Sequence, residues 1–297
     1  MKILLSDAFD PSLPDLLRKY GEVTSNKDEA PEADVILVRS KTKCTKEYID
    51  LAKKVRLIIR GGVGLDNIDV KYAEEKGIEV HNTADASSIA VAELAFAMMI
   101  AVPNRLVESD ISMKEGKWLK KELKRTELSG KTLGILGCGK IGTEVAKRAQ
   151  AFGMNVIGYD PTVDVHDIIT IKVTIDEVYH DADYLTMHTP LTEKTLGMIN
   201  KESIAKMKDG VVIINTGRGK CVIEQDVVDA LNSGKIGFYC NDVWYSDPPE
   251  NSPLYKAKNT LLTPHIGAST NENLLRIGKA VDRIIGKFVG NYNQRII

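Results

Sequence analysis

The stretch TLGILGCGKIG, residues 132–142, decides the fold of this 297-residue chain. Residues 132–136 read as a short strand, and residues 140–152 show the pattern of a helix. Between them lies GxGxxG, in which the first glycine permits a tight turn, the second admits a pyrophosphate, and the third lets the helix pack closely on the strand. The N-terminus of such a helix attracts anions. The unit therefore predicts a dinucleotide site formed by Gly137, Gly139, Lys140, Ile141 and Gly142.

Asp160 indicates which dinucleotide is bound. It follows the next predicted strand, residues 155–159, and stands eighteen residues after Gly142. An acidic residue at this place accepts hydrogen bonds from the adenosine ribose hydroxyls. Residues 161–164 bring no lysine or arginine, so a 2′-phosphate would be repelled. The sequence therefore predicts NAD rather than NADP.

Alternating strands and helices fill the chain on both sides of this unit. The predicted strands are 2–6, 34–38, 55–60 and 78–81 in a first series, and 132–136, 155–159, 183–187, 211–215, 236–240 and 260–262 in a second. The predicted helices between them are 45–53, 70–76, 140–152, 175–179, 201–207 and 224–233. This alternation is typical of βαβ units with parallel sheets. Six strands in the second series match a doubly wound dinucleotide-binding domain.

Two further helices flank the second series. Residues 87–101 are almost entirely apolar and predict a buried helix that can bridge two domains. Residues 271–289 predict an amphipathic helix that is free to pack on the first domain, because the second series is complete without it. Residues 108–129 form a polar stretch rich in lysine and glutamate. The predicted fold class is α/β, with two doubly wound parallel-sheet domains.

Composition limits the functions to consider. The chain is 43% hydrophobic and 27% charged with a net charge of -1, which is typical of a soluble globular protein and offers no basic excess to nucleic acid or membranes. The longest apolar stretch contains Glu93 and is too short for a bilayer span. The N-terminus reads as a strand rather than a signal peptide. Since the four cysteines form no CxxC pair, we expect reduced thiols, no metal and a cytoplasmic location.

Three side chains beyond the ends of later strands form a candidate catalytic set. Arg218 follows strand 211–215, Asp247 lies beyond strand 236–240, and His265 follows strand 260–262. Open parallel sheets bind ligands at these carboxyl ends. Taken singly, each residue has another interpretation: Arg218 can form a surface ion pair, His265 can occupy a core position, and Asp247 can begin a turn. Together they suit oxidation of an alcohol, because histidine takes a proton near neutral pH and arginine binds a carboxylate through two hydrogen bonds.

These residues stand in motifs that resemble the D-isomer-specific 2-hydroxyacid dehydrogenases. The resemblance runs nearly end to end and is carried by RGGVGLDNID at 60–69, SMKEGKW at 112–118, TELSGKTLGILG at 126–137, YDP at 159–161, HTPL at 188–191, NTGRG at 215–219 and PHIGAST at 264–270. Several such motifs in the same order are specific for the family and less specific for the substrate.

The resemblance implies a Rossmann NAD domain, residues 96–270, hinged to a discontinuous flavodoxin-like substrate domain, residues 1–95 and 271–297. It implies a homodimer formed through the NAD domain and a small 2-hydroxy or 2-oxo acid as substrate. Arg218 would bind the substrate carboxylate and carbonyl oxygen, with His265 as the acid/base. The substrate-binding positions it assigns are Arg60, Gly61, Gly62, Val63 and Gly64, where backbone N–H groups would meet the carboxylate. The further cofactor positions are Thr83, Pro161, His188, Thr189, Pro190, Thr216, Gly217, Asp242, Gly267 and Ala268.

One position departs from the family, whose members usually have glutamate where this chain has Asp247. Aspartate is one methylene shorter, about 1.5 Å. Three arrangements are open: a backbone shift brings Asp247 to His265, a water bridges the gap, or Glu250 takes the role. We favour the first hypothesis, because a carboxylate orients the imidazole and stabilises its cationic form. Replacing Asp247 with Asn would then change the pH–rate profile.

Within the family, the resemblance favours oxidation of 3-phosphoglycerate to 3-phosphohydroxypyruvate, a reaction of serine biosynthesis. The phosphate needs cations, for which Arg60 is the first candidate, and Arg39, Lys120 and Lys121 are alternatives. Members often have an arginine after the motif tryptophan that reaches a neighbouring subunit's site, whereas this chain has lysines there. The rival functions are a glyoxylate or hydroxypyruvate reductase, a D-lactate-type enzyme, and an NAD-sensing binding protein without turnover. The chain length implies a short form without the regulatory serine-binding domain of some members.

Overall fold

The computed structural model describes residues 1–294, with side chains as far as residue 290, in two units. One unit is Met1–Ser88 together with the chain from Ala268 on, and the other is Ile89–Gly267. The predicted boundaries, after residues 95 and 270, lie seven and three residues further along. The first of them falls within one continuous helix, Ala84–Ala101, where the sequence shows no break. Residues 295–297 of the predicted substrate domain lie outside the described residues.

The first unit is built on one parallel sheet with the order β2-β1-β3-β4-β5. Its strands are β1 (Lys2–Leu5), β2 (Glu22–Thr24), β3 (Val35–Val38), β4 (Leu57–Arg60) and β5 (Glu79–Asn82). This order is that of the flavodoxin-like fold, in which the chain reverses its direction across the sheet between β1 and β3. The sequence predicted four of these strands. It missed β2, because three residues without a fully buried side chain give no strand pattern.

Eight of the described helices follow the predicted series with shifts of a few residues at their ends, whereas Leu13–Leu17 and Leu106–Lys114 were not predicted. They are α1 (Leu13–Leu17), α2 (Lys46–Leu51), α3 (Val70–Glu75), α4 (Ala84–Ala101), α5 (Leu106–Lys114), α6 (Lys140–Ala151), α7 (Ile175–Asp181), α8 (Lys201–Ala205), α9 (Glu224–Ser233) and α10 (Asn271–Gln294). Side-chain caps fix several starts. Thr45 accepts a hydrogen bond from the backbone N–H of Tyr48, and Thr174 forms a capping box with Glu177.

Helix α10 packs on the sheet of the first unit, as the sequence predicted. Its Ile277, Val281 and Ile285, spaced by four residues, are buried in one cluster with Ile3 and Leu57 of the strands. The other face of the same sheet is covered by α2 and α3 in a second buried cluster. Burial on both faces explains why the three central strands β1, β3 and β4 are almost continuously apolar.

The second unit contains a parallel sheet with the order β12-β11-β10-β9-β6-β7-β8. Its strands are β6 (Thr132–Leu136), β7 (Asn155–Tyr159), β8 (Thr170–Ile171), β9 (Tyr184–Met187), β10 (Val211–Asn215), β11 (Ile236–Asn241) and β12 (Thr260–Leu262). Among the described residues the sheet therefore has seven strands rather than the predicted six. The missed strand, β8, is two residues long and partly exposed. The direction of winding reverses between β6 and β9, where doubly wound sheets bind their ligands.

Helices α4 and α5 differ from the sequence predictions. Helix α4 is 18 residues long with a mean hydropathy of 1.5, so by length and composition alone it passes as a membrane span, contrary to the prediction that no stretch is long enough. It is 56% buried, however, and its Ala92, Ala95 and Met99 are core residues. Helix α5 begins two residues before the predicted polar stretch, residues 108–129, and overlaps its start. Its apolar residues are exposed rather than buried, so no amphipathic pattern marked it.

Candidate active site

The glycine-rich loop after β6 is shaped by close backbone contacts. Gly137 has φ = +91° and donates its N–H to the Tyr159 carbonyl at 3.0 Å. A side chain is disfavoured in this left-handed conformation, and a Cβ there would also lie 2.9 Å from the His188 carbonyl oxygen. A Cβ on Gly142 would overlap the Gly137 carbonyl oxygen. Two of the three glycines are therefore required by packing within the protein.

The second glycine of the motif, Gly139, leaves space for a ligand. Gly139 is the N-cap of α6, which has no side-chain cap, and a Cβ on Gly139 would meet no atom within 4 Å. Lys140 is exposed and Ile141 half-buried beside it. Uncapped N–H groups at a helix N-terminus that faces open space form a cradle for phosphate. The loop therefore fits the pyrophosphate of a dinucleotide.

Asp160 lies against this loop, as the spacing predicted. One carboxylate oxygen accepts from the Cys138 backbone N–H at 3.0 Å, and the other accepts from the backbone N–H and hydroxyl of Thr162 at 3.0 and 2.8 Å. These bonds fix the carboxylate next to the glycine-rich loop while the residue remains partly exposed. The position suits acceptance of hydrogen bonds from ribose hydroxyls. Pro161, also assigned to the cofactor, is exposed beside it.

His188 follows β9 and is held between two threonines. Its Nε2 lies 3.0 Å from the Thr186 hydroxyl and its Nδ1 lies 3.2 Å from the Thr216 hydroxyl. Burial lowers the pKa of His188 to about 3. The side chain is therefore neutral at physiological pH. Of the other cofactor positions on these strand ends, Thr189 and Pro190 follow His188, and Gly217 is buried after Thr216.

The candidate catalytic residues follow three neighbouring strands, β10, β11 and β12. Arg218, beyond β10, is half-buried, and its Nη1 donates to the Gly217 carbonyl at 2.7 Å. The carbonyl of Arg218 accepts from the Asn215 amide at 3.1 Å. Asp247 lies beyond β11 and His265 beyond β12. The sheet therefore brings the three loops to one edge, as predicted from their places after parallel strands.

Asp247 and His265 are in direct contact. The Asp247 carboxylate lies 2.5 Å from His265 Nδ1, and the two side chains are 42% and 39% exposed. Of the three arrangements considered, this is the geometry of the first. A carboxylate at Nδ1 selects the tautomer protonated there and leaves Nε2 to take a proton. His265 also has φ = +56°, a strained conformation for a histidine and one that clusters at functional sites.

Asp242 makes contacts that the sequence did not reveal. One of its oxygens accepts from the Thr263 hydroxyl at 2.6 Å and from the Ile266 N–H at 2.8 Å, and the other accepts from the Gly267 N–H at 2.8 Å. With 1% exposure, this carboxylate holds the loop that carries His265. The resemblance had placed it at the cofactor, a role that stays a prediction. The one signal in the sequence was an acidic residue directly after an apolar strand.

The first unit holds the remaining predicted site residues. Gly61 donates its N–H to the Val38 carbonyl at 2.8 Å, and Gly62 donates to the Thr83 hydroxyl at 2.9 Å. Thr83 is thereby buried in a structural contact. In the described part of the chain, the N–H groups of Val63 and Gly64 have no protein acceptor. Four backbone N–H groups were predicted to bind the substrate carboxylate. Those of Val63 and Gly64 remain available for it, because those of Gly61 and Gly62 are used within the protein.

Two further features bear on the site. Within residues 1–294, no group of three His, Cys, Asp or Glu side chains is placed to hold a metal ion. A cavity of about 520 Å³ in the second unit is lined by α5, residues 258–261 and Phe238, and none of the predicted site residues lines it.

Together, a doubly wound sheet, an open phosphate cradle and a histidine in contact with a carboxylate define a dinucleotide-dependent oxidoreductase. Residues 96–267 match the family model described as D-isomer specific 2-hydroxyacid dehydrogenase, NAD binding domain. The chain belongs to this family of D-isomer-specific 2-hydroxyacid dehydrogenases, and its cofactor is NAD. The fold class and the family predicted from the sequence are thus confirmed.

The relatives differ in their named substrates. The chain is 45% identical to a hydroxypyruvate reductase of Thermotoga maritima, over 97% of this chain and 98% of that protein. It is 43% identical to a D-3-phosphoglycerate dehydrogenase of Methanocaldococcus jannaschii, over 97% of this chain and 57% of that protein. The solved structure of a D-lactate dehydrogenase from Aquifex aeolicus, complexed with NAD and lactic acid, superposes with a TM-score of 0.88 at 29% identity and covers 100% of this chain and 97% of that one. The chain thus spans little more than half the length of the phosphoglycerate dehydrogenases it resembles.

Proposed function

We propose that this chain oxidises 3-phosphoglycerate to 3-phosphohydroxypyruvate. The observation that carries the proposal is a half-buried arginine, Arg39, whose Nε is buried at the edge of the first unit's sheet where ligands bind. Arg39 follows β3, beside the β1/β3 reversal of the flavodoxin-like order. Its Nε is buried and, in the part of the chain described, has no hydrogen-bond acceptor.

A buried donor without an acceptor costs free energy that a bound anion would recover. Burial lowers the pKa of Arg39, and the nearby Asp7 carboxylate opposes that shift. Asp7 is itself engaged: it accepts from the Arg39 backbone N–H at 2.6 Å and from the Thr42 hydroxyl at 2.7 Å. The Arg39 guanidinium therefore remains a cation suited to a phosphate.

A second anion site lies in the same unit. The Arg60 guanidinium is folded against Gly62, so closely that a Cβ on Gly62 would overlap it. The N–H groups of Val63 and Gly64 follow directly in this loop. A guanidinium beside unengaged backbone N–H groups suits a carboxylate. The substrate proposed here carries both a phosphate and a carboxylate.

The chemical step follows from the contacts in the second unit. His265 Nε2 removes the proton of the C2 hydroxyl, because Asp247 holds Nδ1 protonated and stabilises the cation that forms. Arg218 binds the C2 oxygen as the carbonyl develops. NAD, when bound, accepts the hydride that leaves C2. One C–H and one O–H bond are broken, and the second C–O bond of the ketone is formed.

A comparison of two substrates tests the proposal. NADH formation is measured at 340 nm with 3-phosphoglycerate and with D-glycerate, which lacks the phosphate. We expect kcat/KM to be at least about tenfold higher for 3-phosphoglycerate, since a hydrogen bond to a charged group contributes about 1.5–3 kcal/mol. Arg39→Gln is expected to raise KM for 3-phosphoglycerate alone. Arg56→Gln is the matched control, a half-buried arginine that precedes β4 and pairs with Asp34. Equal rates with both substrates would refute the phosphate assignment.

A reductase acting on hydroxypyruvate or glyoxylate is the second candidate. It is favoured by the 45% identity to a protein named hydroxypyruvate reductase over nearly its whole length, and by the absence of an arginine at Lys120 and Lys121. Oxidation of NADH with hydroxypyruvate, glyoxylate and pyruvate distinguishes it. NAD binding without turnover of any of these acids would instead indicate a sensing protein.

The proposal includes a homodimer formed through the second unit and a cytoplasmic location. Helix α5 exposes Leu106, Val107, Ile111 and Met113 by half or more, beside the 520 Å³ cavity. A second copy related by a two-fold axis would place these side chains against the same face of its partner. Sedimentation of Ile111→Glu tests it, with a monomer expected. The cytoplasmic location is supported by four buried cysteines, none of which forms a disulfide.

A further inference from the structure

Two loops at neighbouring strand ends carry the Asp247–His265 pair. The Asp247 loop, residues 242–252, follows β11, and the His265 loop, residues 263–267, follows β12. Trp244 connects them: its indole Nε1 donates to the Thr263 carbonyl at 3.0 Å. This bond stands three residues before Asp247 and two residues before His265. The indole bond and the carboxylate–imidazole contact therefore close one ring between the two loops.

Trp244 also contacts the segment that carries Arg218. A Cβ on Gly219 would overlap the Trp244 backbone carbonyl, so the two segments touch directly after the arginine. The next residue, Tyr245, donates its hydroxyl to the Val222 carbonyl of the same segment at 2.6 Å. Trp244 thus lies where the Arg218 segment, the Asp247 loop and the His265 loop meet.

The residues that carry the carboxylate have few other supports. Residues 245–248 are exposed, whereas Trp244 is half-buried and packs on the core of the second unit. The Trp244 ring lies 5.6 Å from the Tyr255 ring, and Tyr255 donates to the Pro249 carbonyl at 3.2 Å. Tyr245 is fixed to the Arg218 segment, whereas Trp244 is fixed to the His265 loop itself, three residues before Asp247.

We propose that Trp244 is a positioning residue whose indole N–H draws the Asp247 loop onto the His265 loop, so that the short aspartate side chain reaches the imidazole. The proposal rests on the proposed roles of His265 and Asp247. Without this bond the Asp247 loop recedes, and the carboxylate loses its 2.5 Å contact with Nδ1. A glutamate, longer by about 1.5 Å, then spans the gap that an aspartate cannot.

Trp244→Phe removes the indole N–H and keeps an aromatic ring. Trp118→Phe is the matched control, because it makes the same change at the chain's other tryptophan, which is 72% exposed. In the full-length protein, we expect the 15N-labelled His265 ring to lose its slowly exchanging Nδ1 proton in Trp244→Phe and to keep it in Trp118→Phe. This readout needs no turnover, so it decides the proposal even if the proposed reaction is wrong.

A kinetic experiment tests whether a longer carboxylate side chain at position 247 restores kcat to Trp244→Phe. Trp244→Phe is expected to lower kcat about tenfold, with KM for NAD within twofold of the unmodified protein. Asp247→Glu should lower kcat in the unmodified chain and raise it at least threefold in the Trp244→Phe background. A general loss of structure would not reverse the sign of the effect that Asp247→Glu has on kcat. An unchanged Nδ1 proton in Trp244→Phe, or the same effect of Asp247→Glu in both backgrounds, would overturn the proposal.

Discussion

The glycine-rich loop and the His265 loop lie at the carboxyl edge of one sheet and are held by different means. The first is shaped chiefly by backbone packing, with a left-handed glycine and a helix so close that Gly142 admits no Cβ, and it donates one further hydrogen bond to the Asp160 carboxylate. The second is held by side chains from elsewhere, with Asp242, Trp244 and Asp247 all donating to or accepting from it. Cofactor binding thus depends on local geometry, whereas the acid/base pair depends on links between separate segments. Substitutions should separate the two.

The largest effect on kcat is expected at Asp247, whose carboxylate contacts the proposed acid/base from another loop. Asp247→Asn keeps the shape of the side chain and removes the charge that stabilises protonated His265. We expect kcat to fall about 10²-fold, within the usual contribution of an acid/base group. The pH–rate profile is recorded for both proteins. NAD affinity, measured by fluorescence titration, should stay unchanged.

Glu250→Gln is the matched control for Asp247→Asn. Glu250 is the other carboxylate of the Asp247 loop and is exposed, so its removal should leave both kcat and the pH profile as they are. If Glu250→Gln reproduces the profile of Asp247→Asn, the carboxylate that acts on His265 is Glu250, and the direct contact has no catalytic role.

The same contrast explains what the sequence could predict. The loop at Gly137–Gly142, Asp160 and the strand–helix alternation were predictable, because each depends on residues close in the chain or on a fixed spacing. The contacts of Asp242 and Trp244 were not, because their partners lie about twenty residues away on another strand. The short strands β2 and β8 and the exposed helix α5 were missed because none buries a continuous apolar face. The resemblance supplied the candidate roles of Arg218 and His265, and the structure supplied the contact between His265 and Asp247.

An intermediate effect is expected within the glycine-rich loop, where two glycines should respond differently. Gly142→Ala forces a Cβ onto the Gly137 carbonyl oxygen, so the free energy of unfolding should fall by about 1–3 kcal/mol. Gly139→Ala meets no protein atom, so stability should be retained while the Kd for NAD rises about tenfold. Urea unfolding and NAD titration measure the two quantities. If Gly139→Ala binds NAD as tightly as the unmodified chain, the open space beside Gly139 is not the pyrophosphate site.

The smallest effect concerns the histidine on the cofactor side. Desolvation keeps His188 neutral with a pKa of about 3, whereas in the unfolded chain a histidine has a pKa of about 6.5. Between these values only the unfolded state binds the proton, so the contribution of His188 to stability is complete above about pH 6.5 and is lost as the pH falls towards 3. His188→Asn, which retains a donor and an acceptor for Thr186 and Thr216, should therefore flatten the dependence of the unfolding free energy on pH by up to about 1.4 kcal/mol per pH unit. Urea titrations between pH 4.5 and 7 measure this slope.

His180→Asn, at a side chain that is 83% exposed, is the control and should leave the slope unchanged. Parallel curves for His188→Asn and the unmodified chain would mean that His188 takes up its proton in the folded state as readily as an exposed histidine. The contrast between a histidine held by two threonines at the cofactor loop and one held by a carboxylate at the catalytic loop would then have no effect on protonation.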